Sequence, residues 1–378
     1  MHKIASRILA ASILCFNGSA AVGAEAASGT PLREARGVWL HLSDFSADPA
    51  QGKKEVRQEV ERLANANFNF IMPWVLSEYV AALTDTNYQA AAAMAKWDAL
   101  GELVREARQH AMQVHLWYSF TYYKSPQSPD FNPSHGGNPL WAARSLTDFQ
   151  HQANAMTDLC PLHPAARKWE IGLIESLLKR YTNVSGIQIE EPGYGYPKNC
   201  VCELCRSTFK EIHGEDLEKV IGGSRAEDFR CIGTTEFIRE LRERLNKMNP
   251  KPLFSVNGGS SWRGDRSLGR DWKRWAELGW LDFYASQNYS GELAPFSLMT
   301  QTILKDMPAQ CPVFIGIGVK WSGGATPLPV VLKQIEDARS QRADGILFFS
   351  AKSLTDEYLA ALKAGPFNTP AEFPPAKR

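Results

Sequence analysis

Eight short runs, apolar and rich in strand-forming residues, recur along this 378-residue chain, each separated from the next by a stretch with helical periodicity. They are ARGVWLHL from Ala35, NFNFIMPWV from Asn67, QVHLWYSF from Gln113, SGIQIEE from Ser185, KPLFSVNGG from Lys251, LDFYASQNY from Leu281, CPVFIGIGV from Cys311 and ADGILFFSA from Ala343. In between, apolar side chains return at i, i+3 and i+4, as in Val56–Val60–Leu63 and Leu100–Leu103–Val104–Ala107. Ile171, Ile174, Leu177, Leu178 and Tyr181 form a third stripe, and Phe237, Ile238, Leu241, Leu245 and Met248 a fourth. Such stripes are helix faces made to lie on a sheet. Alternation of this kind predicts an α/β fold of parallel βα units, and eight units predict a closed (β/α)8 TIM barrel. An open doubly wound sheet is the alternative, disfavoured because no Gly-rich fingerprint follows the first strand.

The ends read differently from the barrel. MHKIASRILAASILCFNGSAAVGAEAASG places Lys3 and Arg7 before an apolar run from Ile8 to Phe16, followed by small residues around Ala24-Glu25-Ala26. This pattern predicts a secretory signal peptide over residues 1–26, since the run falls short of the roughly 20 residues that span a bilayer. No later segment is apolar for long enough to cross a membrane, so the expected location is periplasmic or secreted. The barrel is expected over residues 27–365, with a Pro-rich, frayed tail over 366–378. A formal charge of +1 provides no general field for nucleic acid.

Side chains alternate across a strand, so apolar residues that meet the helices assign the opposite face to the barrel interior. Ile187 and Ile189 face out, which turns Gln188 and Glu190 inward. The same logic groups Trp39 with His41, His115 with Trp117 and Ser119, Ser255 with Asn257, and Gln287 with Tyr289. Asp44 follows the first strand, and Lys320 and Trp321 follow the seventh. Long connections after strands three and four, from Thr121 to Pro164 and from Pro192 to about Thr234, would build walls at the C-terminal mouth. His115, deeper in its strand, reads as a satisfied core residue. A polar ring with aromatic walls suits a sugar: ring faces cover its C–H face, and amides and hydroxyls hold its OH groups.

Glycosidic cleavage generally uses two carboxyl groups and no cofactor. Glu190, inward-facing at a strand end, is the first candidate, and adjacent Glu191 is its nearest helper. Each would raise the other's pKa, as a general acid requires. Asp44, Glu78, Asp265 and Glu292 are candidates for a second, separated carboxylate. Substrate positioning is expected from Trp39, His41, Asp44, Trp117, Gln188, Asn257, Gln287, Tyr289 and Lys320. A carbohydrate-binding barrel of the cell envelope, with the cleft but without catalysis, is the alternative reading.

The chain at these residues resembles the glycoside hydrolase-like family 10 group of exported bacterial barrels. The resemblance runs through REARGVWL at Arg33, NFNFIMPWV at Asn67, VHLWYSF at Val114, CPLHPAARKW at Cys160, SGIQIEEPGYGYP at Ser185 and WLDFYASQNY at Trp280. It implies glycoside hydrolysis, with cell-wall glycan such as peptidoglycan strands as a substrate class. Where that family's fourth strand has an Asp-Gly pair and adjacent aspartates, this chain has Ser185-Gly186 and Glu190-Glu191. Pro192 fills the slot that carries the acid in chitinases, so their substrate-assisted cleavage is not expected.

Six cysteines follow the predicted signal, and four of them, Cys200, Cys202, Cys205 and Cys231, fall in the connection after strand four. An even count in an exported chain suits disulfides. The spacing C-x-C-x2-C with a distant fourth thiol equally suits a structural four-thiolate zinc. Cys160 and Cys311 are expected as a further pair or as buried thiols.

Overall fold

In the computed structural model, which describes residues 31–75, 97–119, 139–150, 159–194 and 199–375, all eight runs form strands that pair in chain order and close on themselves. They are β1 (Ala35–His41), β2 (Phe70–Val75), β3 (Gln113–Ser119), β4 (Gly186–Glu190), β5 (Leu253–Gly258), β6 (Phe283–Gln287), β7 (Val313–Gly318) and β8 (Gly345–Phe349). Every pairing is parallel, and β8 returns to β1 with Phe349 opposite Trp39. The predicted signal segment, Glu78 and most of the connection after β3 lie outside the described residues. Among the described residues no helix is long and apolar enough to cross a membrane.

The described helices are α1 (Pro49–Asn65), α2 (Ala99–Gln109), α3 (Leu146–Gln150), α4 (Pro164–Arg180), α5 (Glu203–His213) and α6 (Ser224–Leu245). They continue with α7 (Trp262–Arg266), α8 (Trp272–Glu277), α9 (Leu293–Asp306), α10 (Leu328–Ser340) and α11 (Asp356–Ala364). Local chemistry sets their starts. Asp48 accepts from the amides of Ala50 and Gln51 ahead of Pro49, and Asp98 accepts from Gly101 N.

Strand alternation sorts the core into two layers. Val38, Leu40, Ile71, Leu116, Ile187, Ile189, Val256 and Ile315 face the helices and pack with the four predicted helix stripes. Trp39, Phe70, Met72, Trp117, Phe283, Phe314 and Leu347 fill the interior. His115 lies in the deepest layer between Phe70, Phe283 and Phe373, with Nε2 2.9 Å from Gln113 Oε1. Burial pushes its pKa down to about 3, so it is a neutral ring that fills space.

The C-terminal tail corrects the expectation of a frayed end. Phe367 is fully buried against Phe68 and Phe348, and Arg36 stacks on its ring. Asn69 Nδ2 donates to Ala371 O at 2.9 Å, and Glu372 N donates to Leu32 O at 2.8 Å. Phe373 then closes the barrel floor, 5.1 Å from the Phe70 ring and 5.3 Å from His115. Proline content pointed to a loose end, whereas two aromatic anchors outweigh it. Phe373→Ala is expected to lower stability by about 1–2 kcal/mol, because this half-buried ring covers the deepest aromatic layer. Chemical denaturation would read it, and an unchanged midpoint would remove the floor-closing role.

Candidate active site

β4 ends where its ladder with β3 pairs Ser119 with Glu190, and the chain then breaks away. Glu191 has φ 37°, in the left-handed region that non-glycine residues rarely occupy, so the strand stops there and the two adjacent glutamates separate. Asn257 at the end of β5 holds both sides of this break. Its Oδ1 accepts from Glu191 N at 2.7 Å, and its Nδ2 donates to Glu190 Oε2. Trp117 Nε1 donates to the same oxygen, and Gln287 Nε2 lies 3.4 Å from Oε1. Strands β3, β5 and β6 thus aim one donor each at the carboxyl at the end of β4.

Burial pushes the Glu190 pKa up to about 7, and the nearby Glu191 charge adds to that; the bonds from Asn257 and Trp117 and the charge of Arg270 oppose it. A raised pKa does not mark a catalytic group by itself. Glu170 on α4 is pushed up to about 8 by burial alone, yet it receives a hydrogen bond from outward-facing Tyr118 and belongs to the helix layer. Position separates the two carboxyls: Glu190 sits at the C-terminal mouth, partly open to solvent.

Glu191 is clamped. Arg270 Nη2 lies 2.9 Å from its Oε2, and Arg270 Nη1 lies 3.5 Å from Asp265 Oδ1. Asp265 is buried beneath, where Trp272 Nε1 donates to its Oδ2 at 2.9 Å and Tyr284 OH lies 3.3 Å from the same oxygen. Asp265 therefore anchors Arg270 and is not the separated second carboxylate. Gly193 lets the loop pass close, since a Cβ there would stand 2.6 Å from Arg270 Cγ and from Leu268 O. Glu292 is an exposed residue at the start of α9.

The remaining predicted residues divide by depth. Trp39 and Gln188 are fully buried, and Trp39 Nε1 donates to Gln188 Oε1 at 2.8 Å. Together with Asn257, which is 1% exposed, they form the floor under Glu190, a correction to their expected contact with substrate. His41, Gln287 and Tyr289 do reach the mouth, whereas Trp117, 5% exposed, lies buried just beneath them. His41 lies edge-on to Trp74 at 4.9 Å and to Trp117 at 5.3 Å, and burial lowers its pKa. Tyr289 stacks on Phe349 at 5.4 Å and meets Trp321 at 6.2 Å.

Two predicted residues do not join this ring. Asp44 pairs with Lys352 Nζ at 3.0 Å and lines a cavity of about 360 Å³ with Leu40, Glu59 and Arg62 on the helix side of β1. Lys320 is exposed on a two-residue strand that pairs with Gly324–Ala325. Periodicity weakens past a strand's last residue, and both lie two or more residues past it, outside the ring that Tyr289 still joins. Trp74 and Phe349 were missed although alternation from Phe70 and Met72, and from Leu347, would have found them. Arg270 was missed because nothing periodic marks a loop residue.

The cysteines also regroup. Thiols of Cys160, Cys200, Cys202 and Cys205 lie within 4.8 Å of one another, all buried. Cys231 is not among them. It lies on α6, where its Sγ points to Glu227 O at 3.4 Å and Arg266 O at 3.5 Å. Cys160 takes the place expected for Cys231, and it does not pair with Cys311, whose thiol lies 3.8 Å from Pro312 O.

Comparison with known proteins agrees with this barrel. Residues 34–320 match the model of a family described as glycosyl hydrolase-like 10. Glycosyl hydrolase DigH of Escherichia coli is 22% identical over 214 residues, 51% of this chain and 46% of DigH. The chain thus spans about half the length of the curated relatives it matches. The glycoside hydrolase domain of PgaB (BpsB) from Bordetella bronchiseptica superposes with a TM-score of 0.65 at 14% identity, covering 87% of this chain and 98% of that domain. The β-amylase catalytic domain from Paenibacillus polymyxa gives 0.58 at 11% identity, over 88% and 95%. At such identities these two structures bear on the fold alone.

Proposed function

Since the chain belongs to the glycosyl hydrolase-like 10 family, we propose that it is an exported glycoside hydrolase in which Glu190 is the general acid and Glu191 its partner. The observation that carries this reading is a carboxyl at the barrel mouth with its pKa near 7, held by donors from three strands beside a second carboxylate. An acid of that pKa is protonated in a large share of molecules at neutral pH and loses its proton readily. Glu190 would protonate the glycosidic oxygen as the bond to the anomeric carbon breaks. Water supplies the oxygen that replaces it at that carbon, and its proton restores the carboxyl groups. Arg270 fixes the direction of Glu191, while His41, Trp74, Tyr289 and Trp321 offer ring faces to the sugar.

The proposed substrate is a cell-envelope glycan, with peptidoglycan strands first, in the periplasm or outside the cell. The predicted signal peptide and the near-neutral charge support this choice. Reducing-end release from a glycan panel that includes peptide-free peptidoglycan strands tests it. Binding without release by a folded protein would instead favour the carbohydrate-binding barrel.

Tyr289 provides a test of the aromatic wall. Tyr289→Ala is expected to raise KM about fivefold with kcat little changed, as loss of one stacking ring of about 1 kcal/mol would do. Equal losses in kcat would mean that the ring acts on the transition state and not on binding.

A further inference from the structure

We propose that Cys160, Cys200, Cys202 and Cys205 hold one structural zinc ion that ties the connection after β3 to the connection after β4. Four thiolates at about 2.3 Å from zinc in a tetrahedron lie about 3.8 Å from one another. Here Cys160 Sγ is 3.5 Å from Cys205 Sγ and 3.8 Å from Cys202 Sγ, and all four thiols fall within 4.8 Å. Cys160 faces two partners at comparable distance. That convergence on one point suits a single central ion, whereas two disulfides would sort the thiols into separate pairs.

The backbone prepares the site. Cys202 occupies the N-cap position of α5 and Cys205 lies in its first turn, so the i, i+3 spacing sets both thiols on one side of the helix start. Cys200 Sγ accepts from Arg144 N at 3.3 Å and from Cys202 N at 3.5 Å, the amide donors a bound thiolate attracts. Cys160 is positioned from the other segment, where Cys160 N donates to Trp141 O at 2.6 Å beside the Ala142–Leu159 bridge. Val201 N donates to Arg144 O at 2.8 Å, so the two segments already touch where the ion would join them. Tyr194, Phe209 and Phe229 pack around the thiols and exclude water. Four cysteine ligands leave no open position, so the ion would brace the wall and take no part in hydrolysis.

Tyr194 links this brace to the acid pair. It belongs to the same cluster and stands three residues beyond Glu191, with Tyr194 N donating to Leu268 O at 2.8 Å. Between Glu191 and Tyr194, buried Gly193 packs against Arg270, the side chain that holds Glu191.

The test uses the full chain, exported by the cell that makes it and purified without chelator. Elemental analysis is expected to give one zinc per chain, and thiol titration of the native protein should show four thiols that react only after a strong chelator removes the metal. Cobalt in place of zinc should give the absorption of a tetrahedral thiolate site. Cys160→Ala and Cys205→Ala are expected to weaken zinc binding at least about tenfold, and Cys231→Ala to leave it unchanged. A metal-free protein, whether four hydrogens lighter through two disulfides or carrying four reactive thiols, would overturn the proposal. So would loss of zinc on Cys231→Ala with Cys160→Ala unaffected. If the two ligand variants fail to fold, zinc content and thiol titration of the unaltered protein still decide.

Discussion

Glu190→Gln is expected to slow glycan hydrolysis by about 10²–10⁴-fold while the folded protein still binds its glycan. An amide has nearly the shape of the carboxyl and its oxygen can keep accepting from Asn257 and Trp117, while its NH2 group loses the acceptor role toward Gln287 and it has no acidic proton to give a leaving oxygen. For the unaltered protein, the proposed activity should show kcat/KM falling as pH rises past about 7, where Glu190 loses its proton. Stability adds an independent reading. The folded pKa near 7 lies above the value of about 4.3 in an unfolded chain, so folding takes up a proton between the two. Stability linked to this group is therefore fully present below pH about 4.3 and is lost as pH rises through about 7. Removing the group should raise the Tm of Glu190→Gln above that of the native protein at pH 8 and leave the two alike at pH 4. Unchanged activity would end the assignment of Glu190, and equal Tm values at pH 8 would mean that the carboxyl is better solvated than its surroundings imply.

What was legible before the fold was known follows from where information lies in a chain. Strand alternation is local and physical, so Ile187 and Ile189 were enough to turn Glu190 inward, and Asn257, Trp117 and Gln287 arrived around it by the same rule. The rule says which face a side chain takes but not how deep it lies. Trp39 and Gln188 accordingly read as substrate contacts, whereas the barrel closes over them. Past the last paired residue the rule weakens, which is why Asp44 and Lys320 were drawn into a ring they do not enter. Cysteine spacing failed for a related reason. Cys200, Cys202 and Cys205 are near in sequence and stay near in space, but the fourth thiol is chosen by the packing of two distant connections, and Cys160 is closer than Cys231.

Arg270 is the residue whose loss should be felt most widely, although no pattern in the sequence marks it. Its side chain is 7% exposed and faces Asp265, 8% exposed, on one side and Glu191 on the other. Arg270→Met keeps much of the volume but leaves the Asp265 carboxylate buried without its cation, which is expected to cost about 3–5 kcal/mol of stability. Activity should fall as well, since Glu191 would no longer be held in one direction. The pH profile separates these effects. Arg270 lowers the Glu190 pKa, so its removal should move the basic limb of kcat/KM to higher pH. A purely structural weakening would lower activity without moving that limb. Asp265→Asn combined with Arg270→Met would remove the stranded charge, so the double variant is expected to regain part of the stability while the shifted limb persists. If the single variant keeps both its stability and its limb, the clamp is not what organises the acid pair. The direction of Glu191 would then have to come from Asn257 and the backbone turn at φ 37°.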